Sequence, residues 1–151
     1  MPANFLLPAD NAALQARIRA LRPDSPRQWG RMSAGQMLVH AADQLRVSLG
    51  EKPVTSLRLP SFIKPLVKWL IVTRNKGFKP NMPTMKELDS EAGMTAPTTF
   101  EADRNTLLAL LDPARYPAEG VEHPLFGHLS AQELGEVTWK HLDHHLRQFG
   151  G

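Results

Sequence analysis

The stretch SAQELGEVTWKHLDHHLRQF, residues 130–149, has the pattern of one long amphipathic helix with clear boundaries. Ser130, followed three residues later by Glu133, forms the capping-box pattern that starts helices. The run contains no proline, and Gly150 and Gly151 follow it, which favours a helix end. We therefore predict a helix here, and it carries three of the six histidines in the chain.

Three stretches upstream also space their apolar residues as amphipathic helices do. With the last helix they predict an all-α fold, namely a four-helix bundle with an additional short helix and long loops, in a single domain over residues 1–151. No stretch alternates long enough to predict a strand. The predicted helices are 10–22 with a cap at Asp10 or Asn11 and a stop at Pro23, 33–49 with a Ser33–Gln36 capping box, and 99–111 with a stop at Pro113.

The short helix is predicted in SFIKPLVKWLIV, residues 61–72, where apolar side chains also recur at helical spacing. Two interpretations fit this segment: a helix packed on the bundle, or a membrane-surface helix whose apolar face is flanked by basic side chains. The proline-rich residues 51–60 and residues 112–129 are predicted connections. Residues 75–97 are predicted to be a long irregular loop, a kind of segment that can serve as a lid.

Composition excludes several classes of function. The 151 residues include no cysteine, which excludes disulfides, thiolate metal sites and a cysteine nucleophile. The net charge of +3 is small and its basic residues are scattered, so we expect no nucleic-acid partner. No apolar run is long enough to span a bilayer and no signal peptide is recognisable, so we expect a cytoplasmic protein without stable membrane insertion.

Helical geometry decides which histidines of the last helix can act together. At about 100° per residue, His141 and His145 fall in the middle of the apolar stripe, whereas Asp143 and Arg147 fall opposite it. His144 lies at the boundary of the stripe, so we expect it to be exposed or to lie beside the site without binding a metal directly. Two imidazoles spaced i, i+4 can point their ring nitrogens at one ion.

This HxxxH pair does not belong to a zinc protease, because the catalytic glutamate of that motif is replaced by Leu142. The alternative to a metal pair is two neutral core histidines that have their own hydrogen-bond partners. Satisfying two adjacent buried imidazoles is harder than satisfying one, which favours metal. The pattern leaves the third ligand open, and His40 is the best placed of the candidates, which include His40, His123, His128, Asp43 and Glu133.

The chain resembles the DinB-like superfamily, and more closely its branch of uncharacterised proteins known as DUF1569. The resemblance rests on WGRMSAGQMLVHAADQL at residues 29–45 and HPLFGHLSAQELGEVTWKHLDHHLRQFG at residues 123–150. It implies a four-helix bundle that holds a divalent metal, often nickel or zinc, with one histidine from the second helix and an HxxxH pair from the last. Those ligands are His40, His141 and His145 here.

Some members of the superfamily are similar to thiol S-transferases, and others are suspected hydrolases. We therefore expect a metal-dependent enzyme that activates either a low-molecular-weight thiol cosubstrate or water toward a small-molecule substrate. Four further side chains are candidates for contact with the ligands or the substrate: Gln44, His123, His144 and Gln148. For Gln44 and Gln148 the alternative is a polar residue at a helix edge, and for His123 it is an exposed loop histidine, as we expect for His128.

The competing hypothesis is a non-catalytic bundle, a homodimer formed through the apolar segment 62–71. In that case the histidines bind metal only for stability, or bind none. A homodimer is also the oligomeric state expected of the enzyme.

Overall fold

The structure, a computed structural model, describes residues 1–74, 78–80, 82 and 84–151, and these residues are mostly helical. The predicted loop over 75–97 therefore lies partly outside the described residues, at 75–77, 81 and 83. Helices and strands follow in the order α1 (Pro8–Ala20), α2 (Ala34–Ser48), α3 (Lys64–Lys68), α4 (Phe100–Leu110), β1 (Val121–His123), β2 (Gly127–Leu129) and α5 (Ala131–Gln148).

Helix starts follow the capping signals in the sequence, with one exception. Both predicted capping boxes form, at Ser33 before α2 and at Ser130 before α5. The predicted cap of α1 at Asp10 or Asn11 is wrong, because α1 begins at Pro8 with no side-chain cap at all. Proline at the first helical position removes one of the N–H groups that have no partner within the helix, and its fixed φ suits the first turn.

The four longer helices pack on one another, with α1 and α2 each contacting both α4 and α5. Leu14, Leu38, Leu107 and Leu142, one from each helix, are fully or almost fully buried in their common hydrophobic core. Asn11 strengthens this packing, since its Nδ2 donates to the Leu111 carbonyl at 2.8 Å. The core holds the second half of α5 against α2, which positions the histidines of the two helices.

The short helix predicted in residues 61–72 is shorter and less regular than expected. Its α-helix covers only Lys64–Lys68, and a π-helical turn over Trp69–Thr73 follows. Val67 and Ile71 pack against the core, while Phe62 remains 82% exposed. The segment thus does pack on the bundle, but it keeps a second apolar face in solvent. Among the described residues, no helix combines the length and apolarity needed to cross a membrane.

The connection 112–129 contains a β-hairpin, so the prediction of a fold without strands is wrong. β1 and β2 pair antiparallel, with His123 opposite Gly127. Strands of three residues are too short to show a recognisable alternation. Gly120 has φ +96°, and a Cβ there would lie 1.9 Å from the Leu129 carbonyl oxygen, so only glycine fits the close approach that starts the hairpin.

Candidate metal centre

Three histidines from two helices meet in the interior of the molecule. The Nε2 atom of His141 lies 3.3 Å from His40 Nε2 and 3.2 Å from His145 Nε2. One ligand atom from each ring lies within 4.8 Å of the others, the arrangement expected of a metal-binding group. The structure therefore brings together the pair predicted on the last helix and the histidine that the resemblance implied on the second.

Hydrogen bonds on the far side of two rings fix which nitrogen carries the proton. His40 Nδ1 lies 2.7 Å from the Leu88 carbonyl oxygen, which can only accept, so Nδ1 is the protonated nitrogen. Gln148 donates its Nε2 to the Trp29 carbonyl oxygen at 2.9 Å, which leaves its Oε1 to accept from His145 Nδ1. The Nε2 atoms of both His40 and His145 therefore present lone pairs toward His141.

His141 cannot satisfy both of these lone pairs. A proton on its Nε2 can be donated to one neighbour, and its Nδ1 is buried with no partner among the described residues. As a set of ordinary core histidines, the three rings would leave at least one buried nitrogen unpaired, which costs about 1–3 kcal/mol. The alternative of two neutral core histidines with private partners does not fit this arrangement.

The chemistry of the donor set suits a divalent cation. Nitrogen atoms bound to one tetrahedral zinc at 2.0–2.1 Å lie about 3.3 Å apart, close to both separations measured from His141. One cation accepts all three lone pairs at once. Metal-binding histidines also usually donate their other ring N–H to an oxygen acceptor, as His40 and His145 do here to the Leu88 carbonyl and Gln148 Oε1.

Burial keeps the three rings neutral. Desolvation lowers the pKa of His40 despite the opposing effect of the Leu88 carbonyl. Burial, followed by the neighbouring rings, holds the pKa of His141 well below its usual value. The pKa of His145 falls to about 3, again chiefly because the ring is buried. Neutral imidazoles retain the lone pairs that a metal requires.

Gln148 orients His145, and its replacement by leucine is expected to weaken metal binding by about 10–100-fold, the usual cost of losing an outer partner. Gln148→Leu removes the acceptor for His145 Nδ1 and leaves the Trp29 carbonyl unpaired. Competition with a chelating dye measures the affinity. Gln132→Leu, a change on the exposed face of the same helix, is the matched control. Equal affinities for both variants would contradict this role of Gln148.

His144 lies beside the three rings, and it is not exposed. Its ring is 5.0 Å from that of His145 and 5.4 Å from that of Trp29, and the residue retains only 7% exposure. Desolvation lowers its pKa, partly offset by a hydrogen bond to the Phe78 backbone. A helical wheel of α5 alone could not place His144, because Trp29 and Phe78, which cover it, come from distant parts of the chain.

The three rings form part of the wall of a cavity of ≈ 980 Å³. Gln44, His123, His144 and Gln148 line the same cavity. His123 is buried, its Nδ1 accepts from the Leu125 amide at 3.1 Å, and its Nε2 has no partner among the described residues. Burial lowers the pKa of His123 to about 4, so the ring is neutral at neutral pH.

Two backbone groups of the site could not be recognised from the type of residue that supplies them. The carbonyls of Leu88 and Trp29, which fix His40 and Gln148, are backbone groups that any residue could supply. Gly30 is linked to this arrangement, since a Cβ there would lie 2.6 Å from Gln148 Nε2. The tryptophan–glycine pair at residues 29–30 is therefore the one local feature that could have pointed to the contact. His128 lies away from the site, exposed and paired with Glu122.

Comparison with known proteins gives one result. A family model described as a protein of unknown function, DUF1569, matches residues 5–150. No curated protein and no solved structure matches the chain. Because the matched region covers nearly all of the 151 residues and includes His40, His141 and His145, the chain belongs to the DUF1569 family.

Proposed function

We propose that the chain is a metal-dependent enzyme in which His40, His141 and His145 hold a divalent ion at the wall of a substrate cavity. The observation that carries this proposal is the convergence of three Nε2 atoms, two of them with their lone pairs fixed by hydrogen bonds on the opposite ring edge. Nickel or zinc is the proposed ion, since both accept imidazole nitrogen. Three protein ligands are also the usual number in catalytic zinc sites.

When bound, such an ion lowers the pKa of a water or thiol beside it and so supplies a nucleophile near neutral pH. The chain has no cysteine, so a thiol has to come from a free cosubstrate such as glutathione or bacillithiol. The protein residues orient the ligands and bind the substrate. Gln44 and His123 are the polar groups we assign to substrate contact, because both line the cavity outside the three-histidine cluster.

The proposal includes membership of the DinB-like superfamily and its four-helix bundle. Two observations support it: α1 and α2 each pack on both α4 and α5, and the three histidines come from α2 and α5. Residues 121–129 would then be a hairpin added in the connection between the third and fourth long helices.

The function is tested with tag-free protein loaded separately with nickel and zinc. We expect transfer of glutathione or bacillithiol to a small electrophile, or hydrolysis of a small ester or amide, and we expect neither in His141→Ala. Turnover that the variant retains in full would contradict the proposal. Stoichiometric metal without any turnover across both substrate sets would favour a stabilising role instead.

The non-catalytic homodimer is the second candidate, and one observation favours it. Phe62, Leu66, Trp69 and Leu70 are 46–82% exposed on the segment 61–72, and apolar surface of this kind often marks an interface. Sedimentation of Phe62→Asp against the unmodified protein distinguishes the states. A dimer that dissociates on this change, combined with absent turnover, would replace the enzyme proposal.

A further inference from the structure

The cavity beside the three histidines has walls that are mostly apolar. Its apolar side chains come from several separate parts of the chain and include Leu57, Leu59, Val67, Ile71, Met85 and Leu125. A volume of ≈ 980 Å³ is at the upper end of the range typical of small-molecule sites. The wall therefore offers a ligand a large area of hydrophobic contact.

Some of the exposed side chains that line the cavity are apolar. Leu57 and Met82 line the cavity and are 43% and 47% exposed, whereas His40 and His145 on the inner wall are buried. The cavity thus extends from the three histidines to the surface, where Arg31, Lys79 and Thr84 are exposed along with these two side chains.

Charged groups on the described part of the wall are few and do not form an anion site. Arg31 pairs with Glu91 at 3.0 Å, and the other charged lining residues are Lys79 and Asp89, which have opposite signs. A nucleotide or sugar phosphate usually requires several cationic side chains or backbone N–H groups around its phosphates. The wall lacks such a cluster among the described residues.

The uncharged polar side chains that line the cavity outside the three-histidine cluster are Gln44, Thr84, Ser90, His123, His144 and Gln148, and the last two contact His145. His123 has a neutral ring with Nδ1 already occupied by the Leu125 amide, and Gln44 lies one turn after His40 on α2. This lining suits a ligand with one polar end, which would face these polar side chains while the rest of the ligand packs against the apolar wall. Pockets with few polar groups in a hydrophobic lining commonly bind such molecules.

We propose that the substrate is a neutral, largely apolar molecule. Its alkyl or aryl body would pack against the apolar wall that includes Leu57, Ile71 and Leu125, and its one polar group would face the histidines. In naming this ligand the substrate, the inference rests on the proposed function. The binding itself depends on the wall and not on a metal ion, so the two can fail separately.

The test uses straight-chain 1-alkanols of increasing length, titrated calorimetrically into the metal-free protein. We expect the affinity to rise about fourfold for each added methylene until the chain fills the cavity, as burial of one such group predicts. His128→Ala, a change outside the cavity lining, should give the same series. Affinity that does not change with chain length, or tighter binding of adenosine monophosphate than of octanol, would overturn the proposal.

Variants of the cavity mouth locate the binding site. Leu57→Asp combined with Leu59→Asp is expected to weaken octanol binding by at least about tenfold, because the alkyl chain loses two apolar contacts to carboxylates. Leu66→Asp is the matched control, since Leu66 is 57% exposed and lies outside the cavity lining. Both leucines of the double variant are in a connection rather than a helix, which limits the effect on folding. Equal loss in the control would contradict the assignment.

Discussion

Replacing His141 by alanine is expected to lower the affinity for zinc or nickel by more than about a hundredfold. His141 contacts both other rings, so the change removes the ligand that joins His40 to His145. Losing a direct ligand should cost more than the 10–100-fold typical of losing an outer partner. Equilibrium competition with a chelating dye measures the affinity, and elemental analysis of tag-free protein measures the metal content.

Thermal stability gives an independent measure of the same change. A ligand at a hundred times its Kd stabilises the folded state by about 2.7 kcal/mol. A chelator should therefore lower the melting temperature of the unmodified protein and leave that of His141→Ala unchanged. His128→Ala, which alters an exposed histidine paired with Glu122, should behave like the unmodified protein. If a chelator lowers the melting temperature of His141→Ala as much as that of His128→Ala, the ion is bound elsewhere.

Replacing Asp43 by alanine is expected to cost about 3 kcal/mol of the free energy of unfolding. The side chain of Asp43 is fully buried and accepts from Lys52 Nζ at 2.7 Å, Arg46 at 2.8 Å and the Thr95 amide at 2.8 Å. Breaking a buried, hydrogen-bonded ion pair typically costs 3–5 kcal/mol, and the partial exposure of Arg46 and Lys52 places this case at the lower end. Denaturant unfolding measures the loss.

The free energy of unfolding that Asp43→Ala loses should become smaller as the pH falls. Burial raises the pKa of Asp43, but the bonds from Lys52, the Thr95 amide and Arg46 outweigh it and leave the pKa below its usual value. A depressed pKa stabilises the folded state above the unfolded value of about 3.9, and this stabilisation is lost as pH falls through the folded pKa. The difference between Asp43→Ala and the unmodified protein should therefore be constant near neutrality and shrink in acid.

Glu51→Ala provides the control for Asp43. Glu51 pairs with Arg115 on the surface, where both side chains are more than a third exposed, so its loss should cost at most about 1 kcal/mol. A similar cost for both variants would contradict the role given to Asp43. Because Asp43 and Lys52 hold the Gly93–Thr95 backbone on α2, Asp43→Ala should also loosen the nearby stretch that supplies the Leu88 carbonyl to His40.

The parts of the structure that follow from local sequence could be predicted. Helix α5 and its capping box at Ser130 depend on neighbouring residues, and so does the shared face of His141 and His145. The wheel placed this pair on the buried stripe because the apolar residues around it repeat every turn. His40 was the best placed candidate by pattern, but only the family resemblance implied it as the third ligand, since helical spacing within α2 does not show that this face contacts α5.

The rest depends on contacts between distant segments. The hydrogen bond from His40 to the Leu88 carbonyl joins residues 48 positions apart, and the one from Gln148 to Trp29 spans 119. The burial of His144 under Trp29 and Phe78 and the apolar cavity arise in the same way. The hairpin escaped prediction for another reason, namely that its strands have only three residues each.

The most direct test of the metal centre is a crystal structure of the tag-free protein loaded with zinc, with diffraction recorded on both sides of the zinc absorption edge. We expect one anomalous peak per chain, about 2.1 Å from the Nε2 atoms of His40, His141 and His145. The Nδ1 atoms of His40 and His145 should retain their bonds to Leu88 and Gln148. A peak at another place, or three rings that separate while zinc is present, would contradict the central claim.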